Sequence, residues 1–358
     1  MDEDVTAVTA GLVCAHHHLY SSLARGMPPP PKVPANFLEI LENVWWRLDT
    51  ALDLDMIEWS AKLGALDALE AGTTAIIDHH ESPRAIEGSL SVIADAVNEV
   101  GVRINTNYGI TDRHGVDGAA RGLAENDRYL TELAAAGASQ SGLRTGMVGV
   151  HAAFTCSDDS LAAAADLAAR HGVGVHIHVA EGPDDIGVED RIRDLTRDEW
   201  LLIHGVHLPT DHGLRGTIVH NPRSNMNNSV GYADPARFSN RVALGTDGIG
   251  ADMLEEFRIA FVAARASDVT STPDQVWEWF EPGWALMPEA RSDVVTWDYE
   301  PMDPWRVAYS PGTSPTQVVV DGKTLWANGA PTKVDGDEIR AKSAEAAGRL
   351  FERLDSLV

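Results

Sequence analysis

The chain has 358 residues, 44% of them hydrophobic, and a formal net charge of −26. That length and apolar content support one large core, or one large domain with a small companion. The charge excludes nucleic acid and anionic membrane surfaces as partners, because phosphate binding needs basic patches.

The opening stretch MDEDVTAVTA has neither the basic region nor the apolar run of a secretory leader, and no later run approaches a membrane span. A soluble cytoplasmic protein is expected. GLVCAHHH follows, a short apolar run ending in His16, His17 and His18. Side chains alternate across a strand, so His16 and His18 share one face with Cys14, and His17 takes the other. PPPPK at 28–32 is a stiff loop. Trp45 and Trp46 read as core. MIEWSAKLGALDALEAG has helical spacing, and TTAIIDHH is a second buried strand ending in His79 and His80. SLSVIADAVNEVG is a helix closed by Gly, VRINTNYG the next strand, and GMVGVHAAF the strand carrying His151. After the helix LAAAADLAARHG come VGVHIHVAE with His176, His178 and Glu181, and LLIHGVH with His204 and His207. TIVHNPRSN, with Asn221 and Arg223, and VALGTDG, with Asp247, complete the series. The spacing between His204 and His220 leaves little room for a full helix.

Eight short buried runs, several separated by helical stretches and each ending in a polar residue able to do chemistry, predict an α/β fold: a (β/α)8 TIM-like barrel. An open doubly wound sheet would place its chemistry at one switch point. No glycine-rich phosphate loop follows any strand. The barrel is expected over residues 10–285, a small β appendage over 286–334 and a C-terminal helix over 335–358. SDVVTWDY, TQVVVDG and KTLWANG supply the appendage strands, with Asp321-Gly322 as a hairpin turn. Cys14 and Cys156 are too few for a disulfide framework and read as small buried hydrophobes. The Lys residues are only Lys32, Lys62, Lys323, Lys333 and Lys342; an acid-coated, Lys-poor surface suits a high-salt cytoplasm.

Two histidines from the first strand, one from the fifth and an aspartate from the eighth can converge at a barrel mouth. Imidazole nitrogen and carboxylate oxygen both reach a divalent metal at roughly 2.0–2.2 Å, and the set leaves a position open for water. If a metal binds, His16 and His18 are the first-strand pair, and His17 lies outside the lumen.

Together, GLVCAHHHLYSSLARGMP, HAAFTCSDDSL, HIHVAEG, IHGVHL, HNPRSNMNN and GTDGIGADM resemble the amidohydrolase superfamily, in its cytosine-deaminase and chlorohydrolase-like branch, over roughly residues 10–340. The wording is most similar to the SsnA-type aminohydrolases, with guanine and 8-oxoguanine deaminases further off. The resemblance implies His16, His18, His178 and Asp247 as metal ligands, Glu181 as acid/base, and His204 beside the reacting water. It also implies His151 as a substrate contact. His79, at a strand end, and Arg223, as an anion contact, are further substrate-binding candidates. YGITDRHG, with Tyr108, Thr111, Asp112 and Arg113, reads as a specificity loop or a solvated turn. Binuclear members bridge their metals with a carboxylated Lys on the fourth strand. No Lys lies between Lys62 and Lys323, so one divalent metal is implied, zinc first and iron second.

A divalent metal lowers the pKa of a bound water from 15.7 towards about 7. Asp247 can take that proton, His204 can stabilise developing charge, and Glu181 can protonate a ring nitrogen. The expected reaction is hydrolysis of a C–N bond in a heterocyclic or amidine-like small molecule. A hydrolytic dechlorinase would use the same parts. A truncated, inactive metal-binding scaffold is the reading from another class. Members of the resembled family usually carry a longer N-terminal segment that forms half of a β-sandwich. The appendage is therefore expected to be incomplete, with unpaired strands that invite a homodimer or higher homo-oligomer.

Overall fold

A computed structural model of the chain describes residues 7–137, 142–299 and 302–357; the opening residues 1–6 of MDEDVTAVTA lie outside them. The strands in chain order are β1 (Val8–Ala10), β2 (Leu12–His17), β3 (Thr73–His80), β4 (Arg103–Ile110), β5 (Arg144–Gly146), β6 (Val148–Ala152) and β7 (Val175–Val179). They continue with β8 (Leu201–His204), β9 (Thr217–His220), β10 (Val242–Leu244), β11 (Val294–Trp297), β12 (Pro315–Val320), β13 (Lys323–Ala327) and β14 (Ala330–Pro331).

Eight of these pair in the order β10-β9-β8-β7-β6-β4-β3-β2, every pair parallel, with β5 as a side strand on β4. The ring closes just past β10, where the Thr246 and Asp247 amides donate to the His16 carbonyl at 3.0 and 3.1 Å. The eight strands are the eight runs read from the sequence, and the fold is a (β/α)8 barrel. Its interior is plugged by Val13, Ala15, Ala75, Ile77, Leu201, Ile203, Val219 and Ala243. The opposite strand faces, including Leu12, Cys14 and Ile76, pack under the helices.

Strand β2 departs from strict alternation. Its register against β3 slips between Cys14 and His17, so one extra residue is accommodated there. Ala15 and His16 both turn inward as a result. Cys14 lies in the outer layer, its thiol donating to the His16 carbonyl at 3.2 Å, and does not share the face of His16 as expected.

The outer helices begin and end on the expected signals. Leu54–Glu70 starts on Asp53, whose side chain accepts from Met56 N at 2.9 Å. Ser89–Val100 and Asp158–His171 end on Gly101 and Gly172, at φ 113° and 66°. No helix lies between β8 and β9.

The remaining strands form an antiparallel sheet ordered β1-β11-β12-β13-β14. Strand β11 was expected to lack a partner. Instead the three residues of β1 pair along it, Val8 opposite Thr296 and Ala10 opposite Val294. Asp321 and Gly322 both take positive φ, 51° and 72°, as a two-residue hairpin turn requires. Arg103 at the start of β4 ties the barrel to this sheet through two hydrogen bonds to Asp293, at 2.8 and 2.7 Å. The last helix, Gly336–Ser356, buries Ile339, Ala346, Leu350 and Leu354, and Ser343 Oγ donates to the Trp59 carbonyl at 3.1 Å. Among the described residues no helix is long and apolar enough to cross a membrane.

Candidate active site

The C-terminal ends of the barrel strands bring His16, His18, His178, His204 and Asp247 together. Nitrogen atoms of His16, His18 and His178 lie within 4.8 Å of one another, as do the donor atoms of His16, His204 and Asp247. Asp247 Oδ1 stands 3.3 Å from His16 Nε2 and 3.1 Å from His18 Nε2. Asp247 Oδ2 accepts from Ser224 Oγ at 2.5 Å.

Each imidazole is held by its other nitrogen. His18 Nδ1 donates to the His79 carbonyl and His178 Nδ1 to the His151 carbonyl, both at 2.6 Å. His204 Nδ1 bonds Asn225 Oδ1 at 2.7 Å, and His16 Nδ1 faces His176 Nε2 at 3.1 Å. This leaves Nε2 of all four as the donor atom aimed at the centre, the usual arrangement in which an outer partner fixes a ligand's tautomer. His16 Nε2 and His204 Nε2 are buried and have no hydrogen-bond partner among the described residues. Orphaned inward nitrogens beside a carboxylate fit a divalent cation.

The electrostatics agree. Burial, and after it the neighbouring His18, holds His16 well below the ordinary histidine range, though Asp247 pulls the other way. His178 is likewise held low, by burial first. At His18 burial is outweighed by the hydrogen bond and charge of Asp247, and the imidazole is pushed up to about 9. Burial would raise Asp247, but His16 and His18 hold it well below the carboxylate range. The gap between His18 and Asp247 therefore favours positive charge, and a proton competes there with a cation.

Backbone strain helps aim the groups. His204 has φ 72°, Asp247 55° and Ala180 46°. Leu201 and Ile203 point into the barrel, so alternation alone would send His204 outward; the left-handed turn brings it back. Gly245 makes the close approach beside His16, where a Cβ would fall 2.9 Å from His16 Cβ and N.

Glu181 Oε2 lies 3.4 Å from His204 Nε2, and its other oxygen accepts from Asn228 at 3.4 Å. Burial pushes Glu181 up to about 7, against the lowering effect of His204. His151, Glu181, His178, His18 and Asp247 all border one cavity that opens to solvent, the concave kind of site that takes a small organic molecule.

Two substrate candidates are not at that cavity. His79 is fully buried beneath it, its Nδ1 2.9 Å from His176 Nδ1, because alternation on β3 places it low in the lumen. Arg223 is turned away by Glu256, which accepts from its backbone N at 3.0 Å and its Nε at 3.2 Å, and by Glu255 at 3.2 Å. His17 points out of the lumen and bonds the Asp247 carbonyl at 2.6 Å.

The cavity also has walls that the sequence reading did not assign. Trp45 and Trp46, read as core, border it, as do Tyr20, Phe37, Asp49 and Glu81. Glu81 follows His80 at the end of β3, the same strand-end signal that marked the other candidates. Asp49 sits in the short helix Trp46–Ala51 and carries no such signal.

The amidohydrolase family profile matches residues 7–280. The 5′-deoxyadenosine deaminase of Methanopyrus kandleri is 27% identical, over 96% of this chain and 86% of that protein. The 5-methylthioadenosine/S-adenosylhomocysteine deaminase of Symbiobacterium thermophilum is also 27% identical, over 98% and 88%. Among solved structures, a zinc-bound adenosine deaminase from Xanthomonas campestris superposes with a TM-score of 0.82 at 19% identity, over 96% of this chain and 86% of that one. A zinc-complexed atrazine chlorohydrolase from Arthrobacter aurescens gives 0.79 at 19%, over 95% and 88%, and both likenesses bear on the fold alone. With the profile spanning most of the barrel and its mouth carrying this donor set, the chain belongs to the amidohydrolase family.

Proposed function

We propose that this chain is a mononuclear metal-dependent aminohydrolase that releases ammonia from an amino-substituted heterocycle, the adenine ring of a 5′-modified nucleoside foremost. In this reading His16, His18, His178 and Asp247 hold one divalent cation, zinc before iron. The observation that carries it is the placing of Glu181 and Asp247 on either side of His204, at 3.4 and 4.0 Å, beside three inward imidazole nitrogens. When bound, the cation supplies a water activated near neutral pH. Asp247 accepts a proton from the attacking water. Glu181, raised to about 7 by burial, carries a proton at neutral pH and gives it to a ring nitrogen, which makes the adjacent carbon electrophilic. His204, fixed by Asn225, aims Nε2 at the developing oxyanion. His151, its Nδ1 2.7 Å from Thr155 Oγ1, presents its other nitrogen to the cavity for the substrate. The two deaminases above are named for substrates of this class. The acidic, Lys-poor composition supports a high-salt setting.

The test is ammonia release by zinc-loaded protein over a panel of 5′-deoxyadenosine, 5′-methylthioadenosine, guanine-type purines and chloro- and aminotriazines. Ammonia from one nucleoside supports the reading. Chloride without ammonia would make the protein a dechlorinase, and stoichiometric zinc with no turnover would make it a metal-binding scaffold.

A further inference from the structure

The cavity has a second acidic wall, beside His151, whose Nε2 stands 3.7 Å from Glu81 Oε1. Asp49 and Glu81 lie there, only 2% and 3% exposed. Glu81 and the Tyr20 hydroxyl face the Asp49 carboxyl. One cation answers two carboxylates: Arg113 donates to Glu81 Oε2 and stands 3.6 Å from Asp49 Oδ2, while its guanidinium lies 4.3 Å from the Trp46 ring centroid. Among the described residues Asp49 Oδ1 is buried without a hydrogen-bond partner. Every charged side chain bordering the cavity, other than the histidines, is a carboxylate; among the described residues none is Lys or Arg. Trp45, Trp46 and Tyr20 form the wall beside Asp49.

The acidity of the chain as a whole does not account for this. A surface adapted to salt needs solvated carboxylates, whereas burying one without a full set of partners is costly. Aromatic faces around an unmatched carboxylate suit an organic cation, drawn both by the ring quadrupoles and by the charge. Burial and the neighbouring Glu81 hold the Asp49 carboxyl well above the usual carboxylate range, so the pair gathers positive charge, a proton or an organic cation in its place. An anionic group would find the Arg113 guanidinium already engaged.

Building on the aminohydrolase reading, we infer that the preferred substrate is an amino-substituted heterocycle bearing an organic cation, an ammonium or amidinium group, at the end that faces Asp49, Trp45 and Trp46, with neutral nucleosides such as 5′-deoxyadenosine as poorer substrates of the same site. Asp49 is the group that selects it. Arg113 holds Glu81 in place and does not serve as an anchor for anionic substrates.

The test uses three probes that share one ring: benzylammonium, benzyl alcohol and benzylsulfonate, titrated calorimetrically into the full-length, zinc-loaded protein at neutral pH. Benzylammonium should bind about tenfold more tightly than benzyl alcohol, and benzylsulfonate most weakly. In Asp49→Asn the ammonium-to-alcohol ratio should shrink to about twofold, with binding of the alcohol unchanged as a check on folding. Equal binding of the three probes overturns the inference in the unmodified protein, whatever the variant does. So does tightest binding of the sulfonate, which would make Arg113 an anion anchor, and so does a ratio that survives Asp49→Asn. None of the probes has a C–N bond of the kind the aminohydrolase would hydrolyse. Ammonia release with the wrong charge order therefore refutes this inference alone, and the right charge order without ammonia release refutes the aminohydrolase reading alone.

Discussion

Replacing Asp247 by Ala removes the one carboxylate from the donor cluster. Its Oδ1 stands 3.3 Å from His16 Nε2 and 3.1 Å from His18 Nε2. Around a cation bonded at about 2.1 Å, tetrahedral neighbours stand about 3.4 Å apart. The spacing is therefore that of adjacent ligands. Changing a residue that only orients a ligand costs roughly 10–100-fold in metal affinity, so deleting a ligand must cost more. Asp247→Ala and His16→Ala should each weaken zinc binding by at least about 100-fold. His17→Ala is the control from the same strand. His17 is buried and bonds the Asp247 carbonyl at 2.6 Å, but it faces away from the cluster. Its loss should cost roughly 1–3 kcal/mol of stability through the unpaired carbonyl and leave zinc affinity within about tenfold of the unmodified protein. Competition against a chromophoric chelator, metal content after dialysis and urea denaturation measure these quantities. If Asp247→Ala keeps its affinity within tenfold, or His17→Ala loses as much as His16→Ala, the facing of side chains on β2 is not what builds the site.

Glu181→Gln should retain zinc and lose roughly 10²–10⁴-fold in turnover; in the proposed mechanism Glu181 donates only when protonated, so activity should fall as pH rises through about 7, and a pH–rate profile shows whether that limb exists. Asn225→Ala frees His204, whose Nδ1 it holds at 2.7 Å, and should lower kcat by up to about a hundredfold with zinc content unchanged; steady-state kinetics beside metal analysis separates the two. Arg103→Ala leaves the Asp293 side chain fully buried without the guanidinium that donates two hydrogen bonds to it, Asp321 N at 3.1 Å still donating, so the folded state should lose about 3–5 kcal/mol by denaturant titration. With a net charge of −26, the melting temperature should rise with added KCl through the molar range, and a flat or falling trend would count against the high-salt reading.

The barrel was legible because each strand run is apolar on both faces and ends in a group with chemistry. That pattern survives without knowledge of any contact. The convergence of His16, His18 and His178 was legible for a related reason, since inward positions on different parallel strands rise to the same mouth. The failures have local causes. Strand β1 is three residues long, too short to show a period, so its pairing with β11 was invisible until the two ends of the chain met. Arg223 looked available because Glu255 and Glu256, which engage it, lie far along the chain.

The deeper limit lies at the strand ends. A bulge in β2 turns His16 inward out of step with Cys14, and left-handed residues at 180, 204 and 247 re-aim the chain just where the chemistry sits. None of the three is Gly, so no sequence rule announces them; His204 would point away from the cluster if β8 simply continued. Such conformations cost of order 1–3 kcal/mol each and persist only where surrounding contacts hold them. Here those contacts are the Asn225 bond to His204, the Ser224 bond to Asp247 and the Asp185 carboxylate accepting from Ala180 N at 2.7 Å. Asn225, Ser224 and Asp185 are thus the groups through which the site is kept in shape. A substitution there should disturb the aim of the donors before it disturbs the barrel, because the lumen beneath is filled by apolar side chains that do not depend on them.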